Sequence, residues 1–176
     1  MSTLLEYLGQ KREALLGLRR RIDAGEIGPA KLTARVTAEG RSGVRRIRIR
    51  DFQILSDSPP DFAGYDLGPA SPEIALGALG SCVTHIYLIQ AAALEVPLES
   101  LEVVVEGFTD PRAGRPGHET IPVHPQDISY VVKITSSASA ERIEELRRNV
   151  EAACPLLSLI RNPQTVNSRV ELSAPQ

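Results

Sequence analysis

The chain reads as an α+β protein, and three features of the sequence predict this. Alternating apolar and polar runs fall in two groups, near residues 32–54 and 101–136. A long, almost wholly apolar run from Ser71 to Leu94 separates them, and an amphipathic helix follows the second group. The predicted order is αβββαββαβ, with strands and helices grouped rather than strictly alternating, which is the α+β pattern.

Leu4, Leu8, Leu15, Leu18 and Ile22 recur at roughly helical spacing among Lys11, Arg12, Glu13 and Arg19 to Arg21, so residues 3–24 read as an amphipathic helix. Gly25, Gly28 and Pro29 end it. Leu32, Ala34, Val36 and Ala38 then alternate with polar residues as a first strand, and Gly40-Arg41-Ser42-Gly43 supplies a turn. Val44 to Ile49 forms a second strand. Its apolar parity slips at Arg50-Asp51 before Phe52 and Ile54, as a tight turn or a bulge would cause, giving a three-stranded meander.

Residues 56–70 hold Pro59, Pro60, Gly64, Gly68 and Pro69 and are too long for a simple connector. Ser71-Pro72-Glu73 starts the next helix with a cap, a first-turn proline and an acid. Because that helix is apolar on every side, it is expected to be buried. Leu101 to Thr109 and Asp127 to Ser136 alternate as a hairpin with a long Pro/Gly/His-rich connection. Ser139 caps a helix with Ile143, Leu146, Val150 and Cys154 on one face, and Thr165 to Leu172 is expected as a last strand.

With 176 residues, 42% of them hydrophobic, the chain can bury a real core. A formal charge of −2 argues against a protein that works by neutralising phosphates, so no nucleic-acid partner is expected. Arg45, Arg46, Arg48 and Arg50 read mainly as the wet face of a sheet. No stretch approaches ~20 uninterrupted apolar residues and no basic-then-apolar leader precedes the first helix, so no membrane is expected and a cytoplasmic location is. In such a reducing compartment any disulfide would be transient.

The chain has two cysteines, Cys82 and Cys154, too few for a disulfide scaffold and without Cys-x-x-Cys spacing. A free cysteine inside a buried helix ordinarily behaves as a small, unreactive hydrophobe. Cys154 differs because Pro155 follows it, which biases Cys154 out of the α region and opens a second helix, setting its thiol near a helix N-terminus. Both cysteines lie on apolar helix faces and could meet at a helix contact, where axes run ~8–10 Å apart.

The segment Ser71-Pro72-Glu73-Ile74-Ala75-Leu76-Gly77-Ala78-Leu79-Gly80-Ser81-Cys82 resembles the first cysteine helix of the OsmC/Ohr family (osmotically inducible protein C and organic hydroperoxide resistance proteins), and Cys154-Pro155-Leu156-Leu157 resembles its second cysteine motif. Asp57 to Pro60 with Gly64-Tyr65-Asp66-Leu67-Gly68-Pro69 resembles the loop before that helix in an OsmC-like branch. The likeness implies an OsmC-like domain at 31–176 behind an N-terminal helical extension at 1–30. It also implies antiparallel sheets wrapped around two central helices in an intertwined homodimer.

For function, the resemblance implies a stress-response peroxidase that reduces organic hydroperoxides. Cys82 would attack and become a sulfenic acid, and Cys154 would resolve it as a Cys82–Cys154 disulfide. No bound cofactor is implied. The partner would be an external dithiol reductant, for which the family points to a protein-bound lipoyl group. The family's active-site arginine falls nearest Arg41, with Arg35 and Arg45 as competitors, and its glutamate falls on Glu73. A guanidinium would favour the thiolate, and Glu73 would orient it through paired hydrogen bonds.

Each position has a plainer reading beside the functional one. Arg41 in a glycine-rich turn suits a solvated side chain, and Glu73 suits helix-dipole stabilisation. Glu73 is nine residues, or ~13 Å, along the helix from Cys82, which excludes direct contact on a straight helix. His85 shares the Cys82 face as a core histidine, a base or a ligand, while His118 and His124 lack ligand spacing, so no metal is expected. The rival to an enzyme is a noncatalytic OsmC-like ligand-binding or interaction protein with inert thiols. The first helix either packs on its own chain or docks on a partner or a second copy.

Overall fold

The computed structural model describes residues 3–174. Helix α1 (Leu4–Asp23) begins with a reciprocal cap: the Glu6 N–H donates to Thr3 Oγ1 at 3.3 Å and the Thr3 N–H donates to Glu6 Oε2 at 2.8 Å. Leu4 and Leu8 pack into the core. The Arg12 guanidinium donates to the Ala92 and Ala93 carbonyls at 3.5 and 3.3 Å and pairs with Glu95, so α1 caps the end of α2 (Ser71–Leu94). The last carbonyls of a helix lack partners of their own, which is what makes this contact favourable. The first helix therefore packs on its own chain.

Strands β1 (Arg35–Ala38), β2 (Arg45–Ile49) and β3 (Phe52–Ser56) form the expected antiparallel meander. Ile49 pairs with Phe52 and Ile47 with Ile54, so a two-residue turn with Arg50 at φ 54° accounts for the parity slip without a bulge. Val36, Ile47, Ile49, Phe52 and Ile54 share one face by register, yet Val36 and Phe52 are 55% and 64% exposed. Nothing among the described residues covers this apolar face.

The connection from β3 to α2 is pinned by Asp57, which is fully buried. Its Oδ2 accepts the Tyr65 N–H at 2.9 Å and the Leu67 N–H at 3.2 Å. Arg45 donates to Ser56 Oγ and to the Asp57 carbonyl, both at 2.9 Å, and to the Gly43 carbonyl at 2.8 Å. Backbone N–H groups, led by that of Ser58, hold the Asp57 carboxyl below its usual range against the opposing effect of burial, and the Arg45 charge adds to the lowering. Arg45, read from sequence as a competitor for the active-site role, is thus occupied in holding this loop.

Helix α2 is the centre of the molecule, with α1, α3 (Ala140–Ala153), α4 (Pro155–Arg161) and β4 (Ser100–Phe108) against it. Leu79, Val83, Tyr87 and Ala91 meet Leu146 and Val150 of α3 and Leu157 of α4 in one core. The expectation that α2 is buried all round is corrected: Ser81 and His85 are exposed and Cys82 is half-buried, because no element among the described residues covers that side. Strand β4 pairs antiparallel with β5 (Gln126–Thr135), interrupted by a bulge at Gly107, and Val103, Val105, Tyr130 and Val132 face the core.

The last predicted strand is also corrected. Residues 162–174 have no regular structure, and Val166, Val170 and Leu172 are 87%, 93% and 95% exposed. A strand needs a partner for its backbone groups, and the alternation at 165–172 finds none among the described residues. The first strand likewise starts at Arg35 rather than Leu32, which is 92% exposed.

Candidate active site

Cys154 sits at the joint between two helices. Its N–H donates to the Val150 carbonyl at 2.9 Å and closes α3, while its own carbonyl accepts the Ser158 N–H at 3.0 Å and opens α4. Between these bonds it is extended, with φ −78° and ψ 112°, because the ring of Pro155 disfavours the α region at the preceding residue. The side chain continues the Leu146–Val150 face and is 1% exposed.

Cys82 comes from the fourth turn of α2, on its less covered side, and its Sγ lies 3.6 Å from that of Cys154. This is within S–H···S reach and needs ~1.5 Å of closure to reach the S–S bond length of ~2.05 Å. Burial pushes the Cys82 thiol up, the Leu156 backbone N–H pulls it back down, and the neighbouring sulfur raises it again. The free amide at the start of α4 therefore acts on Cys82, where the sequence placed its benefit on Cys154. No guanidinium among the described residues contributes.

Arg41 is exposed in the turn between β1 and β2 and has no side-chain partner among the described residues. The nearby arginines are engaged: Arg46 with Glu39 and Gln53, Arg48 with Thr37 and Glu39, and Arg45 with the loop. Glu73 accepts the Ala70 N–H at 2.6 Å, as a helix-capping acid does. It also borders a groove of about 440 Å³ along Gly77, Gly80, Ser81 and Thr84, closed on the far side by β4. No hydrogen bond or ion pair among the described residues joins Arg41 to Glu73 or to either cysteine.

Sequence reasoning thus placed the two sulfurs, and the structure brings them together. Arg41 and Glu73 stay apart within one chain. His85 is exposed one turn beyond Cys82, and no group of three His, Cys, Asp or Glu side chains among the described residues is placed to hold a metal. The buried Asp57 was missed because nothing separates it locally from the other acidic turn residues of 56–70.

Residues 64–169 match the family of OsmC-like proteins. No curated protein sequence matches the chain. Among solved structures, an OsmC-like protein from Mycoplasma pneumoniae superposes with a TM-score of 0.65 at 18% identity, covering 76% of this chain and 89% of that one. The organic hydroperoxide resistance protein OsmC of Legionella pneumophila gives 0.55 at 14% identity over 77% and 92%. An OsmC-like protein of unknown function from Vibrio cholerae gives 0.56 at 15% over 74% and 93%. At these identities the likeness is one of fold. The family match begins beyond α1 and the meander.

Proposed function

Because this chain belongs to the OsmC-like protein family, we propose that it is a two-cysteine thiol peroxidase acting on organic hydroperoxides. One observation carries the reading: two sulfurs 3.6 Å apart, one half-buried and one sealed. Such a pair suits attack by Cys82 followed by resolution by Cys154. The Cys82 thiolate attacks the distal peroxide oxygen, the O–O bond breaks, and the departing alkoxide takes a proton to become the alcohol. The Cys154 sulfur then attacks the Cys82 sulfenic acid, forming the S–S bond as the S–O bond breaks and water leaves. An external dithiol, such as a protein-bound lipoyl group, reopens the disulfide by exchange.

A thiol raised by burial needs a cation to ionise at neutral pH, and in this reading a second copy supplies it. Two uncovered surfaces support a homodimer: the α2 side carrying Ser81, Cys82 and His85, and the apolar face of the meander. Laying the meander of one chain on α2 of the other would cover both and bring Arg41, the partnerless arginine of that turn, toward the partner's thiol, with Glu73 orienting it.

The noncatalytic reading draws on the same raised thiol, since an inert cysteine pair is also a packed one. Intact mass before and after one equivalent of an organic hydroperoxide separates the two. Loss of two hydrogens, with a peptide joining Cys82 to Cys154, is the expected result. An unchanged mass would leave the binding protein.

A further inference from the structure

Glu151 stands one turn before Cys154 on α3 and is held from three elements. The Tyr130 hydroxyl of β5 donates to Glu151 Oε1 at 3.2 Å, and Arg147 Nη1 of the same helix donates to that oxygen at 2.6 Å. Arg161, at the end of α4, approaches Oε2 at 3.8 Å. Arg147 is gripped on its other edge by Glu144 through bonds of 2.7 and 2.8 Å. Glu151 itself is 30% exposed, so its pairs are partly shielded from water.

These contacts surround the bend that aims Cys154. Glu151 to Arg161 is the ion pair among the described residues that spans the α3–α4 joint, and Tyr130 ties its acceptor to β5, whose Tyr130 and Val132 pack on the core around α2. The Cys154 sulfur hangs from a single χ1 rotor, so the backbone of the joint decides where it lies. Closing 3.6 Å to a bond demands an in-line approach, and a displacement of ~1 Å in such a step can cost about 100-fold in rate. We propose that Glu151 is a positioning residue: it sets the α3–α4 joint and so holds the Cys154 sulfur in line with Cys82 for disulfide closure.

The proposal rests on the reading of Cys82 and Cys154 as a reacting pair, but its test needs no peroxide. With excess 4,4′-dithiodipyridine, the Cys82 thiolate displaces one thiopyridone and forms a mixed disulfide. The Cys154 thiolate then attacks the Cys82 sulfur, making the Cys82–Cys154 bond and releasing the second thiopyridone. The first phase depends on reagent concentration and the second does not. Glu151→Gln is expected to leave the first phase unchanged and to slow the second about tenfold, a fraction of the loss that full misplacement can cause. Tyr130→Phe should slow the same phase to a smaller degree, and Glu144→Gln should leave both phases at wild-type rates because Arg147 keeps Glu151.

An unchanged second phase in Glu151→Gln, or equal slowing of both phases, would overturn the proposal, the latter by marking general loosening. Should Glu151→Gln fail to fold, Tyr130→Phe and Arg161→Met carry the same two-phase test. A chain inert to hydroperoxide whose second phase still depends on Glu151 would refute the peroxidase reading and leave this one standing.

Discussion

The Cys154 sulfur lies 3.6 Å from that of Cys82, yet Cys154 is 1% exposed while Cys82 is half-buried. A dissolved oxidant therefore meets the pair at Cys82. In the proposed reaction, that difference in access would set the order of the two chemical steps.

Cys82→Ser is accordingly expected to abolish reaction with hydroperoxide. Cys154→Ser should keep one rapid oxidation and then stall, with its sulfenic acid trapped by a dimedone-type probe and driven to sulfinic acid by excess peroxide. Labelling of Cys154 in the wild-type protein would reverse the assignment. Mass spectrometry of the labelled peptides decides it.

Arg41→Met should lower the pre-steady-state rate of Cys82 oxidation by about 100-fold, the usual size of losing one charged stabiliser at a reacting centre. Arg46→Met and Arg48→Met should do far less, because both are already committed to Glu39. The sign follows from the thiol. Burial holds Cys82 up, so removing a cation raises it further, and a bimane titration of Cys82 in Arg41→Met should have its midpoint at higher pH than in wild type. Glu73→Gln should act more weakly, since a glutamine oxygen can still accept the Ala70 N–H. Equal losses at Arg41 and Arg46 would reject the assignment.

Asp57 contributes stability that depends on its charge. Its carboxyl is depressed in the folded chain, so that contribution is complete above its unfolded value of about 4 and fades as pH falls through the lower folded value. Asp57→Asn should melt several degrees below wild type at pH 7, and the gap should narrow on acidification below pH 4. A gap that stays constant from pH 7 to pH 3 in scanning calorimetry would show that charge is not what Asp57 supplies.

The loop before α2 leaves no room at Gly64, where an added Cβ would stand 1.8 Å from the Ser58 carbonyl oxygen. Gly64→Ala should therefore cost about 1–3 kcal/mol, the range for forcing atoms into a packed site. Gly9, inside α1 with nothing within 4 Å, gives the opposite sign: Gly9→Ala should stabilise by about 0.5–1 kcal/mol. Urea melts of both variants measure the difference.

Much of this protein is legible without coordinates because its local signals agree with one another. The meander follows from alternation around Gly40 and Arg50-Asp51, α2 from Ser71-Pro72-Glu73, and the bend at Cys154 from the proline after it. The Thr3 and Glu6 cap could have been read from its spacing and was not. Asp57 and Glu151 were not legible, since beside their near neighbours each acts through partners 8 to 21 residues away that no local pattern predicts.

The sequence by itself determined the element order as far as α3, the two cysteines on apolar helix faces and the proline that turns one of them. These depend on periodicity and on steric limits within a few residues. Only the tertiary structure decided that the sulfurs meet, that Cys154 is sealed while Cys82 is not, and that the amide of Leu156 serves Cys82. It also decided that one side of α2, the apolar face of the meander and residues 165–172 lack cover among the described residues. Packing between distant segments fixes these, and burial is a property of what lies opposite a residue, which its own neighbours in sequence do not encode.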